Sequence, residues 1–211
     1  RGGGQPIVLV NGRRVSGFQE IRNIPPDAIA KVEVFPEEVA LQYGFAAEER
    51  VVNFVLKPNF RQLAIDPEYG VYTQGGRSRF ELDNNFLSIG EKTRLNLNAT
   101  YETESLLTEA ERDLVPVSGV AADTVARSLL PAFDRYIADM SLQYSLDKIT
   151  ALTFTGRFEQ TDSLSLLGPG AGGIADPLER DSRNRQMSLG SSANGMIGKW
   201  RWNLTGNWNH A

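Results

Sequence analysis

No apolar run in this chain approaches the roughly 18 residues that a membrane-crossing helix needs, yet several segments alternate apolar and polar residues with a strict period of two. Tyr136, Ala138, Met140, Leu142, Tyr144 and Leu146 share one face, and Asp139, Ser141, Gln143 and Ser145 the other. That is a strand of about 11 residues with tyrosine near each end, the length and aromatic placement of a bilayer-crossing β-strand. Leu152, Phe154, Gly156 and Phe158 against Thr153, Thr155, Arg157 and Glu159 repeat the logic. So do Trp200, Trp202, Leu204, Gly206 and Trp208 against Arg201, Asn203, Thr205, Asn207 and Asn209, and Leu95, Leu97, Ala99 and Tyr101 against Asn96, Asn98 and Thr100. A closed barrel pairs every backbone group, so it crosses lipid without a long apolar run. The same alternation describes a water-soluble β-sandwich, whose apolar faces lie against a second sheet. Strand length, end-placed aromatics and polar faces of Asn, Thr and Arg favour the membrane.

The connections have a rhythm. Short turns around Gly90, Asp147 and Gly198, each followed by a lysine, define one rim, and long Ser-, Gly-, Pro- and Asp-rich segments from Thr103 to Pro131 and from Thr161 to Arg185 define the other. Short turns opposite long loops is the asymmetry of outer-membrane barrels. With further segments at Tyr69–Gln74 and Phe80–Ser88 the expectation is about seven strands. An open array of that size leaves two edges that lipid does not tolerate, so the sequence reads as a piece of a larger barrel.

The first 60 residues have another texture. Ile7 to Val10 is a buried-strand signal, and Asn11-Gly12 behind it is a tight-turn signal because both residues tolerate positive φ. Pro25-Pro26-Asp27 ends a polar loop, with Asp27 expected to cap the segment entering Ala28 and Ile29. Val32 and Val34 alternate with Glu33 and Phe35 until Pro36 stops the strand. Glu37 to Leu41 reads as a helical turn entered from that proline, Tyr43-Gly44 as its stop, and Val51 to Leu56 as a returning strand broken only by Asn53. This is a small α+β unit, and Pro58 closes it.

Composition closes other routes. The formal net charge of −4, with no cluster of Lys and Arg, argues against a nucleic-acid partner. Cysteine is absent, which removes disulfides and Cys metal sites. His210, the single histidine, is read as lying on the Asn-bearing face of the last strand without an acidic or nucleophilic neighbour, so no triad or zinc site is expected. The glycine runs at Gly2–Gly4 and Gly168–Gly173 lack the Gly-Lys-Ser/Thr of a phosphate loop. Neither catalysis nor a metal or other cofactor is expected.

The order VLVNGRRV, IPPDAIAKVEV, ALQYG and VVNFVLK resembles the C-terminal half of the plug domain of TonB-dependent outer-membrane receptors, and the remainder looks like the opening strands of their barrel. The resemblance implies a mainly β chain: residues 1–60 as a small α+β plug segment, followed over 61–211 by antiparallel transmembrane barrel strands. It departs from the family where Pro36-Glu37-Glu38 replaces Arg-Gly-Pro and Glu49-Arg50 replaces paired glycines, the mark of a divergent subfamily. By position, Gln5, Phe18, Gln19 and Arg22 would be plug apices facing a ligand. Asn11, Gly12, Glu33, Tyr43, Gly44, Glu48, Glu49, Arg50 and Asn53 would form the plug signature, with Glu33, Glu48, Glu49 and Arg50 open to contact with barrel residues such as Arg157. The implied function is import across the Gram-negative outer membrane of a scarce extracellular ligand of the siderophore, cobalamin or oligosaccharide class. The implied partners are outer-membrane lipid and the TonB–ExbB–ExbD energising complex. The competing expectation is a β-rich binding or adhesion protein, or a small barrel, without a transport role.

Overall fold

The structure, a computed structural model, describes residues 7–15, 21, 24–42, 50–114, 123–147, 150–198 and 200–211, without the side chains of Arg14, Gln42 and Arg201. The chain is mainly β and divides into two compact units, Arg1–Arg61 with Leu87–Glu91, and Gln62–Phe86 with Lys92–Ala211.

The first unit runs β1 (Ile7–Val10), β2 (Arg13–Arg14), a 3-10 turn (Pro26–Ala28), β3 (Ile29–Phe35), α1 (Glu37–Gln42) and β4 (Val51–Leu56), with sheet order β2-β1-β4-β3. Asn11 and Gly12 take φ of 50° and 75°, the left-handed pair that a two-residue hairpin turn requires. β1 and β4 are parallel, while β3 returns antiparallel to β4. Pro36 stops β3 because it has no N–H to give the ladder, and its carbonyl accepts the Val39 and Ala40 N–H groups at 3.0 and 2.9 Å to open α1. Asp27 does not cap. The 3-10 turn begins at Pro26, two residues earlier than expected, so Asp27 lies inside it and no side chain bonds its start. Leu9, Ala40 and Val51 form one small core, and Val10, Ile24, Ala28, Leu56, Leu87 and Ile89 another.

The large sheet contains β5 (Phe60–Val71), β6 (Ser78–Ile89), β7 (Thr93–Glu104), β10 (Ala132–Ser145), β11 (Ala151–Gly170), β12 (Gly173–Ile197) and β13 (Trp200–His210). Their order, β13-β12-β11-β10-β7-β6-β5, is an antiparallel meander, the arrangement of a stretch of barrel wall. The pair β8 (Leu107–Thr108) and β9 (Ser128–Leu130) forms a separate ribbon in the connection between β7 and β10. The three short turns fall where the spacing places them, between Ile89 and Thr93, Ser145 and Ala151, and Ile197 and Trp200. The segment expected at Tyr69–Gln74 is the end of the longer β5, which turns after Val71.

The other rim is more ordered than its composition indicates. Thr161 to Arg185 is not a loop: β11 and β12 stay paired from Thr161↔Asn184 to Leu166↔Glu179, and close at Gly170↔Gly173. Polar side chains on both faces suit a ladder bathed in water, and Arg183 ties across it to Asp162 at 2.5 Å. Counted from Gln160, which pairs with Tyr136, the hairpin runs on for about ten residues, roughly 30 Å at a strand's rise per residue. The segment between β7 and β10 is pinned to it: Ser128 Oγ accepts the Leu166 N–H at 3.0 Å, and Arg127 bridges to Leu167.

Candidate functional site

Register divides the large sheet into two chemically distinct faces. Tyr101, Tyr136 and Gln160 lie in one cross-strand row, Leu97, Met140, Gly156, Leu189 and Trp208 in another, and Leu95, Leu142 and Phe154 in a third, all on the same face. These apolar side chains meet no second sheet among the described residues: Leu204 is 70% and Trp200 82% exposed, and Leu63, Met140, Phe154 and Leu189 are exposed as well. Where Ala99, Ala138 and Gly156 are small, the belt dips into a shallow groove of about 430 Å³ bounded by Leu97, Met140, Phe158 and Leu189. Tyr101 and Tyr136 pack with their rings tilted by 31° and centroids 5.0 Å apart at the upper border, and Tyr101 donates to Asp134 at 2.7 Å. His210 belongs to this face. It is two residues from Trp208 and stacks on it at 5.9 Å, so the placement on the Asn-bearing side is corrected by the period of the strand.

The opposite face is polar and carries an ion ladder across four strands. Arg77 pairs with Glu104; Arg79 with Glu81, with Glu102 at 3.0 Å and with Glu104 at 4.0 Å. Arg135 bonds Glu159 through Nε at 3.0 Å and Nη2 at 2.5 Å, and lies 3.9 Å from Glu102. Arg157 reaches both Asp139 oxygens at 3.0 and 3.1 Å and Glu159 at 2.9 Å. Most of these side chains are partly solvated, so each pair contributes little by itself, roughly 0–1 kcal/mol. Arg77 and Glu104 differ: their side chains are 5% and 11% exposed, Arg77 also donates to the Pro131 carbonyl at 3.1 Å, and its Nε has no partner. Below the ladder, toward the short turns, the next two rows from β10 to β13 are uncharged, with Arg94 of β7 opposite Gln143 and Arg201 two rows further along β13. Ser141, Thr155, Gly190 and Asn207 form one row, and Gln143, Thr153, Ser192 and Thr205 the next.

In the first unit the structure joins four of the predicted signature residues. Asn53, 4% exposed, accepts the Gly12 N–H at 2.8 Å and donates through Nδ2 to Glu33 at 2.9 Å. Asn11 Oδ1 accepts the Leu56 N–H at 2.8 Å, and Asn11 N–H donates to the Phe54 carbonyl at 2.9 Å. Glu33 completes the cluster with Lys31 at 2.6 Å. Hydrogen bonds from Lys31 first and Asn53 second hold its carboxyl below the ordinary value. Arg50 is exposed, and its carbonyl accepts the Ile7 N–H at 2.8 Å. Gln5, Phe18, Gln19, Arg22, Tyr43, Gly44, Glu48 and Glu49 lie outside the described residues. Glu33 and Arg157, considered for a contact between the units, each have partners within their own.

Among the described residues no group of three His, Cys, Asp or Glu side chains comes together as a metal site. The ladder was missed in the sequence except for Arg157 and Glu159. Its signal is the repeated pair of charges at i and i+2, in Arg79/Glu81, Glu102/Glu104 and Arg157/Glu159, which puts both on one face of a strand.

No family model matches the chain, and no curated protein does. Among solved structures it is similar to a mutant of the ferric enterobactin receptor PfeA from Pseudomonas aeruginosa, at 14% identity and a TM-score of 0.49. The match covers 96% of this chain and 32% of that one, so the chain spans about a third of that receptor's length.

Proposed function

We propose that this chain is part of a TonB-dependent outer-membrane receptor. In this reading, residues 1–60 are plug and 61–211 the first strands of barrel wall. The exposed apolar belt faces lipid, and the polar face lines the lumen. The plug signature is the Asn11, Gly12, Glu33 and Asn53 cluster, together with Tyr43, Gly44, Glu48, Glu49 and Arg50. A scarce extracellular ligand binds at the outer loops and at plug apices around Gln5, Phe18, Gln19 and Arg22. The TonB–ExbB–ExbD complex then pulls on the plug and opens a path to the periplasm.

The observation that carries this reading is the belt. Seven strands present one continuous apolar face bordered by tyrosine and tryptophan, with paired ions and amides on the reverse. In water, an uncovered apolar face of this extent is unfavourable by roughly 25 cal/mol per Å², whereas lipid satisfies it. These 211 residues have no cysteine, so with any cysteine elsewhere in the full-length protein replaced by serine, single cysteines report cleanly. Nitroxide labels on Met140→Cys and Phe154→Cys of the full-length protein in bilayers should be far more accessible to oxygen than to a water-soluble nickel complex. Labels on Ser141→Cys and Thr155→Cys should show the reverse. Protection of the belt positions from both reagents would sink the proposal in favour of a sandwich.

A further inference from the structure

Three connections of the large sheet lie on the rim opposite the short turns: the β5–β6 turn, the segment between β7 and β10, and the β11–β12 hairpin. We propose that the middle one, through residues 105–114 and 123–131, is a brace that locks both neighbours, so that the three open only as one cooperative body. Its grip on the β5–β6 turn has three parts. Arg112 donates through Nη2 to the Gly75 carbonyl at 3.1 Å, and Arg77 donates to the Pro131 carbonyl at 3.1 Å. Gly76 presses bare backbone against the connection, where a Cβ would lie 2.9 Å from both Leu107 and Glu111. The grip on the hairpin mirrors it. Ser128 Oγ accepts the Leu166 N–H at 3.0 Å and donates to the Leu166 carbonyl at 3.3 Å. Arg127 lies over Gly168, where a Cβ would meet its guanidinium at 3.2 Å, and buried Asp123 holds that guanidinium at 2.9 Å. Gly76 and Gly168 take φ of 77° and 132°, so each neighbour has a residue without a side chain, in a backbone conformation that favours glycine, at the point of contact.

A run of hydrogen bonds joins the two grips. The Arg112 N–H donates to the Glu109 carbonyl at 3.2 Å, and the Glu109 N–H donates to the Arg127 carbonyl at 3.0 Å. Thr108 and Glu111 close a capping box between them, with the Thr108 N–H donating to Glu111 at 2.7 Å. Thr108 also pairs with Ser128, and Leu107 and Ala126 are buried. Segments that share bonds in this way open together instead of one at a time. A disturbance at Gly75 therefore reaches Leu166 through a contiguous set of contacts, and the reverse holds. In the transport reading proposed above, on which this consequence rests, this sector of the rim is assembled before a ligand arrives, and capture carries no entropy cost for ordering it.

The test is hydrogen exchange, resolved to single amides by mass spectrometry, on the full-length protein in lipid nanodiscs. Arg112→Ala removes a contact with the β5–β6 turn and should speed exchange of the distant Leu166 amide roughly threefold or more. Ser128→Ala removes a contact with the hairpin and should do the same at the Gly75 amide, which donates to the Tyr72 carbonyl. Wall amides from Thr153 to Gly156 should keep their wild-type rates in both. Acceleration confined to amides beside each substitution would overturn the brace and leave the transport reading standing. A second measurement needs no contact removed. Nitroxides on Gln74→Cys and Ala171→Cys, both exposed positions, should give one narrow distance distribution by pulsed electron paramagnetic resonance. A broad or two-peaked distribution would overturn the proposal even where the exchange rates agree with it. Failure of the transport reading has its own signature, the protection of Met140 and Phe154 labels from both relaxation reagents.

Discussion

Asn53 does the work of several residues because its amide is buried with both ends engaged. Asn53→Leu, of similar size, would leave the Gly12 N–H without an acceptor and Glu33 without one of its donors, a loss of about 1–3 kcal/mol for an orphaned buried group. Hydrogen exchange should show the Gly12 amide losing protection first. Glu33 sets a pH dependence. Its folded carboxyl lies below the ordinary 4.5, so its contribution is fully present above the unfolded value and is lost as pH falls through the lower folded one. Melting of the intact protein followed from roughly pH 6 to pH 3 should therefore show a decline that Glu33→Gln flattens. Arg77 is a site of similar weight. Arg77→Met leaves Glu104 with only the more distant Arg79 at 4.0 Å and the Tyr72 hydroxyl at 3.4 Å, and should cost about 1–3 kcal/mol locally. Limited proteolysis of the turn between β5 and β6 should accelerate, and adding Glu104→Gln should restore most of the resistance.

Turns and stops were legible in the chain because their chemistry is local. Asn11-Gly12 and Pro36 act through their own φ angles and missing groups, and the three short turns interrupt a period that neighbouring residues state plainly. The β11–β12 hairpin beyond Gln160 was not legible. Its Ser, Asp, Gly and Pro content has the composition of a loop, and its strands exist because each supplies the other's ladder over a pairing that no short window contains. The ladder on the polar face was hidden for the same reason, since Arg135 meets carboxylates 33 and 24 residues away, Glu102 and Glu159. Asp27 failed as a cap because the turn starts two residues early, with Pro25 in the cap position and Pro26 opening it. At this scale the expectation is topological. A cysteine at Leu167 should react with an impermeant maleimide on intact cells, and one at Gly198 only after the outer membrane is opened; equal labelling of both would reject opposite rims.

The two faces of the large sheet carry opposite tolerances to charge. Leu189→Arg places a guanidinium in the middle of the belt and should cost about 2–4 kcal/mol, visible as a shifted folding equilibrium in lipid. Ser188→Arg, its neighbour on the other face, should shift that equilibrium far less. The distance between the aromatic borders has a further meaning. From Tyr136 to Tyr144 is eight residue steps, about 27 Å along the strand and about 20 Å in height for a strand tilted near 40°. A bilayer thicker than this must thin around the wall or leave the tyrosines below its headgroups, at fractions of a kcal/mol per ångström. In the transport reading proposed above, the spacing of two tyrosines on one strand would act as a gauge, setting a preference for the thinner of a cell's two membranes before any ligand or partner has been met.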